Sequence, residues 1–271
     1  MNILEIKDLV KTYETGLRAL DGLSLCVPAG TLFGFLGLNG AGKTTTIRIL
    51  AGLNSRDSGS VHLFGERIDP AEYRHRQRIG FVLDEPLYFE WMTVAEYLEF
   101  VGIMEGLSGS VTEARLHELI RFFDLMEKED HLIGTLSTGM KKKVSLAAAI
   151  IHNPDLLVLD EPFEGIDAVA ASSIKEALTL MVARGGTVII TSHALDTIEK
   201  LCSSVGIIHR GKLLLQSETA RLRETAATRL NNETLHSLEE IFVGLLGDAS
   251  EKKALTFLTH GNIPPDHPAA P

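Results

Sequence analysis

The sequence predicts an α/β fold organised around a parallel sheet, and three features predict it. Leu156, Leu157, Val158 and Leu159 form an unbroken apolar run ending in Asp160 and Glu161, the pattern of a strand covered on both faces. A helical stretch from about 169 to 182 leads through Arg184-Gly185-Gly186 to another apolar run at 187–191, the strand–helix–strand order of a parallel crossover. A third apolar run, 31–36, is interrupted by Gly37 just before a helical pattern that carries Ile47, Leu50 and Ala51 on one side.

The remaining elements follow in order. Leu4 and Ile6, then Leu25 and Val27, predict short, half-exposed strands framing an N-terminal sheet. Residues 59–64 before Gly65, and residues 79–83, read as two further strands. Residues 93–151 are helical in pattern, with breaks at 102–110 and 134–139, and predict a helical subdomain inserted into the core. Residues 205–209 and 213–216 flank Arg210-Gly211-Lys212 and predict a late hairpin. The ordered domain is expected to span 1–217. Residues 218–271 form a helical extension that includes Leu238 to Phe242, and Pro264, Pro265, Pro268 and Pro271 predict a poorly ordered tail.

Composition narrows the setting. With 271 residues, 45% of them hydrophobic, the chain can bury a sizeable core without staples. Cys26 and Cys202 stand far apart in apolar surroundings, so reduced, buried thiols and a cytosolic environment are expected. No secretory apolar region follows Met1, and no apolar stretch is long enough to span a bilayer, so any action at a membrane runs through a partner. A net charge of -10 argues against a nucleic-acid partner, which requires a concentrated Lys/Arg field.

Chemistry enters at residues 37–44. Gly37-Leu38-Asn39-Gly40-Ala41-Gly42-Lys43-Thr44 satisfies the complete Gly-x-x-x-x-Gly-Lys-[Ser/Thr] pattern between a predicted strand and helix. Glycines let successive N–H groups curl toward an anion, and the helix N-terminus adds its positive end. Lys43 supplies a charge at the β- and γ-phosphates, and Thr44 a hydroxyl for Mg²⁺. Gly37, Asn39, Gly40, Ala41, Gly42, Lys43, Thr44 and Thr45 are therefore the expected nucleotide contacts. Asp160 and Glu161 stand at the carboxyl end of a buried strand, the functional edge of an open parallel sheet. Asp160 suits a Mg²⁺ ligand, directly or through water, and Glu161 suits the orientation or deprotonation of an attacking water. His193, at the end of the 187–191 strand, fits either a γ-phosphate sensor or a hydrogen-bonded structural histidine.

This ordered set resembles the nucleotide-binding subunit of an ABC transporter. Leu136-Ser137-Thr138-Gly139-Met140 looks like that family's signature loop, residues 163–167 like its D-loop, His193 like its switch histidine and Tyr13 like the aromatic that stacks on adenine. The resemblance covers roughly residues 4–217. It implies a P-loop NTPase of ABC type, with a RecA-like parallel-sheet core, a small antiparallel β-subdomain and the inserted helical subdomain at about 93–151. It further implies an ATPase using ATP and Mg²⁺, with Lys43, Glu161 and His193 as catalytic residues and Thr44, Asp160 and Asp84 near the metal. Two copies would form a head-to-tail dimer in which Ser137, Thr138, Gly139 and Asp167 meet the other copy's nucleotide, driving a separate transmembrane permease from the cytoplasmic face.

The sequence also departs from the family pattern. Thr138 replaces the usual Gly, Met140 the usual Gln, and Asp84 stands where the Q-loop glutamine is common, so its amide donor is lost. Lys141, Lys142 and Lys143 read as the solvated start of the helix after the signature loop. Leu87, Tyr88, Phe89 and Trp91 are expected to form a groove for a permease helix, with packing into the local core as the competing reading. The signature form, the acidic Q-loop position and the 238–242 segment resemble exporters whose ATPase and pore are separate chains. The alternatives are a soluble ABC-type ATPase that remodels a macromolecular complex, and a nucleotide-dependent regulator with little hydrolysis.

Overall fold

The computed structural model describes residues 1–68, 75–84, 88–230 and 237–247. Two sheets carry the fold among these residues. Strands β1 (Asn2–Thr12), β2 (Arg18–Pro28), β4 (Ser58–Leu63) and β5 (Glu66–Arg67) form a 4-stranded antiparallel sheet in the order β2-β1-β4-β5. Strands β3 (Leu32–Leu36), β6 (Ile79–Val82), β7 (Leu156–Leu159), β8 (Thr187–Ser192), β9 (Ser204–His209) and β10 (Lys212–Glu218) form a 6-stranded sheet in the order β10-β9-β3-β8-β7-β6. Its pairings are parallel from β9 through β6, and only β10 runs against its neighbour.

The N-terminal strands are longer than expected, and half-exposed as expected. β1 and β2 each run 11 residues, and Leu4, Ile6, Leu25 and Val27 are all buried. The cause is layering. The antiparallel sheet lies over helix α1 (Lys43–Leu50) and one face of the parallel sheet, sharing a core that includes Phe33, Phe35, Ile47 and Ile189. The opposite side stays wet, with Lys7, Asp8, Gly22 and Ser24 exposed, so each strand is half-exposed as its alternation predicts.

The other face of the parallel sheet is covered by helices α2 (Val94–Met104), α3 (Gly109–Phe122), α4 (Thr138–Ile150), α5 (Ala168–Ala183) and α6 (Leu195–Leu201), whose apolar residues join one core with Leu157, Leu159, Val188 and Ile190. Helix α2 starts at a capping box. Thr93 Oγ1 accepts from Glu96 N–H and Glu96 Oε2 accepts from Thr93 N–H, satisfying two orphan donors. Gly80 on β6 is required by close packing, because a Cβ there would lie 2.1 Å from the Ala149 carbonyl oxygen of α4.

The late hairpin is present as β9 and β10, turning through Arg210 and Gly211, both at positive φ, as a twist-matched two-residue turn demands. The extension after it is partly core. Helices α7 (Leu222–Leu230) and α8 (Leu238–Gly247) bury Leu222, Ala226, Leu238, Ile241 and Phe242 against the cluster that also holds α6 and β9. The expected proline-rich tail lies outside the described residues. Cys26 is half-buried, Cys202 is buried, and both are free thiols. No helix among the described residues is long and apolar enough to cross a membrane.

Candidate functional site

Parallel pairing brings the carboxyl ends of β3, β7 and β8 together: Leu36 is in register with Ser192, and Leu159 with Ile190. The loops leaving these three ends carry Gly37 to Lys43, Asp160-Glu161 and His193. Leu38 to Lys43 and Glu161 line a cleft of 360 Å³ together with Tyr13, Thr44, Thr45, Asp84 and Glu164, and His193 adjoins it through its contact with Glu161. A larger cleft of 440 Å³ between α3 and α5 has apolar walls such as Leu119, Phe122 and Met181. Its two arginines are spent on backbone, Arg115 on the Ile151 carbonyl and Arg184 on that of Pro154, so the smaller, charged cleft is the chemical one.

The loop geometry follows from its glycines. Gly40 and Gly42 both hold positive φ, and a Cβ on Gly42 would meet Leu20 at 2.7 Å and the Ala19 carbonyl at 2.8 Å. Gly42 is the N-cap of α1 and offers no side-chain acceptor, so the first-turn N–H groups of this helix face an incoming anion. Lys43 is buried. Its Nζ donates to the Gly37 carbonyl at 2.7 Å and lies 3.3 Å from Glu161 Oε1, an ion-pair contact without hydrogen-bond alignment.

The acidic pair is held by Thr191, a β8 residue that sequence reasoning missed. Thr191 Oγ1 donates to Asp160 Oδ1 at 2.5 Å and accepts from the Glu161 N–H at 2.9 Å. Asp160 Oδ2 is buried with no hydrogen-bond partner among the described residues, an acceptor that a bound cation would satisfy. Burial raises the Asp160 pKa, with Thr191 and Thr44 pulling it down and the neighbouring Asp84 and Glu161 carboxylates pushing it up. Glu161 adopts φ 47°, left-handed backbone that a side chain of its size seldom occupies, and strain of this kind gathers at reactive positions. Its Oε2 lies 3.1 Å from Nδ1 of the exposed His193. Half-buried Thr44 and Asp160, which interact through their side chains, are thus neighbouring oxygen donors, the hard donor set that fits Mg²⁺.

Tyr13 sits at the mouth of the cleft, its hydroxyl 3.1 Å from Thr45 Oγ1 and accepting from Asn54 Nδ2 at 2.9 Å. Asp84 is exposed on the rim. Ser137, Thr138, Gly139 and Asp167 stand apart from this cleft. Ser137 caps α4, accepting from Met140 N–H at 3.3 Å, and Asp167 caps α5, accepting from Ala170 N–H at 2.8 Å. The two helix starts touch, since a Cβ on Gly139 would lie 3.2 Å from that of Ala170.

Two expectations are corrected. The lysines after the signature loop are not simply solvated. Lys143 is buried and donates to the Phe123 carbonyl at 2.9 Å, and Lys142 donates to the Glu161 and Glu164 carbonyls at 2.8 and 2.6 Å. Only Lys141 remains near the surface, paired with Glu90. Three consecutive lysines point to three sides of a helix, and two of those sides face other elements. Tyr88 is also no free groove residue. Its hydroxyl donates to the Lys141 carbonyl at 3.0 Å and accepts from Ser145 Oγ at 2.7 Å, and burial pushes its pKa up to about 12. Phe89 and Trp91 do stay exposed, with ring centroids 5.2 Å apart and Phe89 edge-on to Phe100 at 5.4 Å. Leu87 lies outside the described residues.

Such a strand–loop–helix anion cradle beside an acidic strand end defines a phosphate-loop nucleotide-binding protein. Residues 20–164 match the family model described as ABC transporter. The chain is 36% identical over 236 residues to the daunorubicin/doxorubicin resistance ATP-binding protein DrrA of Streptomyces peucetius, covering 87% of this chain and 71% of that one. It is 40% identical over 223 residues to the Nod factor export ATP-binding protein I of Burkholderia lata, covering 82% and 73%. Among solved structures, an ATP-binding subunit of an ABC transporter superposes with a TM-score of 0.81 at 31% identity, covering 90% of this chain and 99% of that one. The chain belongs to the ABC transporter ATP-binding family, and its activity is that of an ATPase coupled to transport.

Proposed function

We propose that this chain powers export through a separate transmembrane permease, acting at the cytoplasmic face of the membrane as half of a head-to-tail pair of ATPase subunits. The observation that carries the reading is the meeting of Lys43 and Glu161 in one cleft, with the unpartnered Asp160 Oδ2 next to Glu161 in sequence and His193 bonded to the Glu161 carboxylate. The named relatives are export and resistance ATP-binding proteins, which favours transport over soluble remodelling.

In this reading Gly37, Asn39, Gly40, Ala41, Gly42, Lys43 and Thr45 hold the ATP phosphates, and Tyr13 lies against the adenine. Thr44 and Asp160 would hold Mg²⁺, with Asp84 as a further carboxylate near it. When bound, Mg²⁺ neutralises charge on the phosphate oxygens. ATP entry gives Lys43 Nζ a phosphate partner in place of Glu161, which frees the Glu161 carboxylate to take a proton from water. His193, bonded to the other Glu161 oxygen, orients that carboxylate. Ser137, Thr138, Gly139 and Asp167 lie away from their own chain's cleft, and a second copy's nucleotide gives them a ligand. Closed two-fold symmetry then makes two equivalent sites.

The test is Glu161→Gln in the full chain. Turnover is expected to fall by about 10²-fold or more, the scale of a lost general base. ATP binding persists, and an ATP-dependent dimer accumulates in size-exclusion chromatography. Near-wild-type hydrolysis removes Glu161 from the mechanism.

A further inference from the structure

We infer that Lys142 is a positioning residue for ATP hydrolysis, locking the backbone of Glu161 from the same helix that begins at the signature loop. The inference rests on the assignment of Glu161 proposed above and adds a residue to it.

The Glu161 peptide is bolted from both directions. Its N–H is held by Thr191 of β8, and its carbonyl accepts from Lys142 Nζ at 2.8 Å and from Glu164 N–H at 3.2 Å. The same ammonium reaches the Glu164 carbonyl at 2.6 Å, so one charge closes both ends of the turn that follows β7. Charge-assisted bonds of this length are the strong kind, and they sit where the backbone is left-handed and in need of restraint. Lys142 is half-buried here; burial lowers its pKa, and the negative charges of Asp84, Glu164 and Glu161 oppose that shift and favour the ammonium.

Position makes the clamp more than structural. Lys142 lies on the second turn of α4, and Ser137 caps the first. Rigid helical backbone therefore connects Ser137 and Gly139 to the clamp, so a displacement of the helix start is delivered to the Glu161 carbonyl. A nucleotide engaging the signature loop would in this way set the aim of Glu161 in the other site.

The experiment compares Lys142→Met and Lys142→Arg in the full chain with wild type and Glu161→Gln, measuring kcat, KM for ATP, ATP binding and Tm. Lys142→Met keeps the stem and removes the donors, and its kcat is expected to fall about tenfold while KM and ATP binding stay within about twofold. Lys142→Arg keeps a charged donor and is expected to recover most of that loss. The inference is overturned by a Lys142→Met kcat within about twofold of wild type, or by a loss matched by parallel falls in Tm and ATP binding, which mark a merely structural lysine. An inactive Glu161→Gln beside a fully active Lys142→Met leaves the Glu161 assignment standing and removes Lys142 alone. A fully active Glu161→Gln removes both.

Discussion

Thr191→Val tests whether one buried hydroxyl organises the acidic strand end. The substitution is nearly isosteric and keeps the β-branching that suits strand β8, so no cavity or propensity penalty obscures the result. Thr191 is fully buried, and its Oγ1 serves Asp160 Oδ1 and the Glu161 N–H at once. Valine leaves a buried carboxylate oxygen and a buried backbone donor without this partner, at about 1–3 kcal/mol each. Valine also removes the desolvation of the hydroxyl itself, which places the total near the low end, about 3 kcal/mol. For a domain of this size that corresponds to a fall in Tm of roughly 6–12 °C. Turnover falls further than ATP binding, because the strained Glu161 backbone loses its anchor while the phosphate loop is untouched. Thr191→Ser retains the hydroxyl and is expected to keep both bonds. Circular dichroism melts and a steady-state ATPase assay read the two effects. A Thr191→Val protein within about 2 °C of wild type and of unaltered turnover refutes the reasoning.

Gly80→Ala forces a methyl onto the Ala149 carbonyl, a backbone atom that cannot rotate away. It is expected to cost roughly 1–3 kcal/mol in denaturant melts, while the ATP affinity of the folded fraction is unchanged, because Gly80 is remote from the phosphate loop. Replacing exposed Phe89 and Trp91 together with Ser should leave Tm unchanged but lower recovery of a stoichiometric permease from detergent-solubilised membranes by about tenfold, as a lost aromatic anchor does. Undiminished recovery rules this aromatic patch out as the docking surface.

The phosphate loop was readable because its chemistry is local. Glycine spacing, a lysine and a hydroxyl residue lie within eight consecutive positions, and the backbone they shape needs no distant partner. Asp160 and Glu161 were readable for a related reason: a four-residue apolar strand must end where its polar residues emerge, and in a parallel sheet that end is the functional edge. Ser137 and Gly139, which the family resemblance assigns to the other copy's nucleotide, do not line their own chain's cleft.

Where apolar pattern met long-range packing, the reading lost resolution. Leu4, Ile6, Leu25 and Val27 marked half-exposed strands correctly but not their 11-residue lengths, which pairing between the strands sets. Tyr88 looked like an interface aromatic, and its hydroxyl is instead committed to α4, 53 and 57 residues away.

The amino-acid order alone determined the anion cradle, the acidic edge and the parallel core, since each depends on residue type and short spacing. Only the tertiary structure assigned Thr191 to bridge Asp160 and Glu161, and turned Lys142 from a surface charge into a clamp on two carbonyls. Those contacts join residues separated by 19 to 31 positions. Their existence depends on sheet register and helix rotation, which no local pattern encodes.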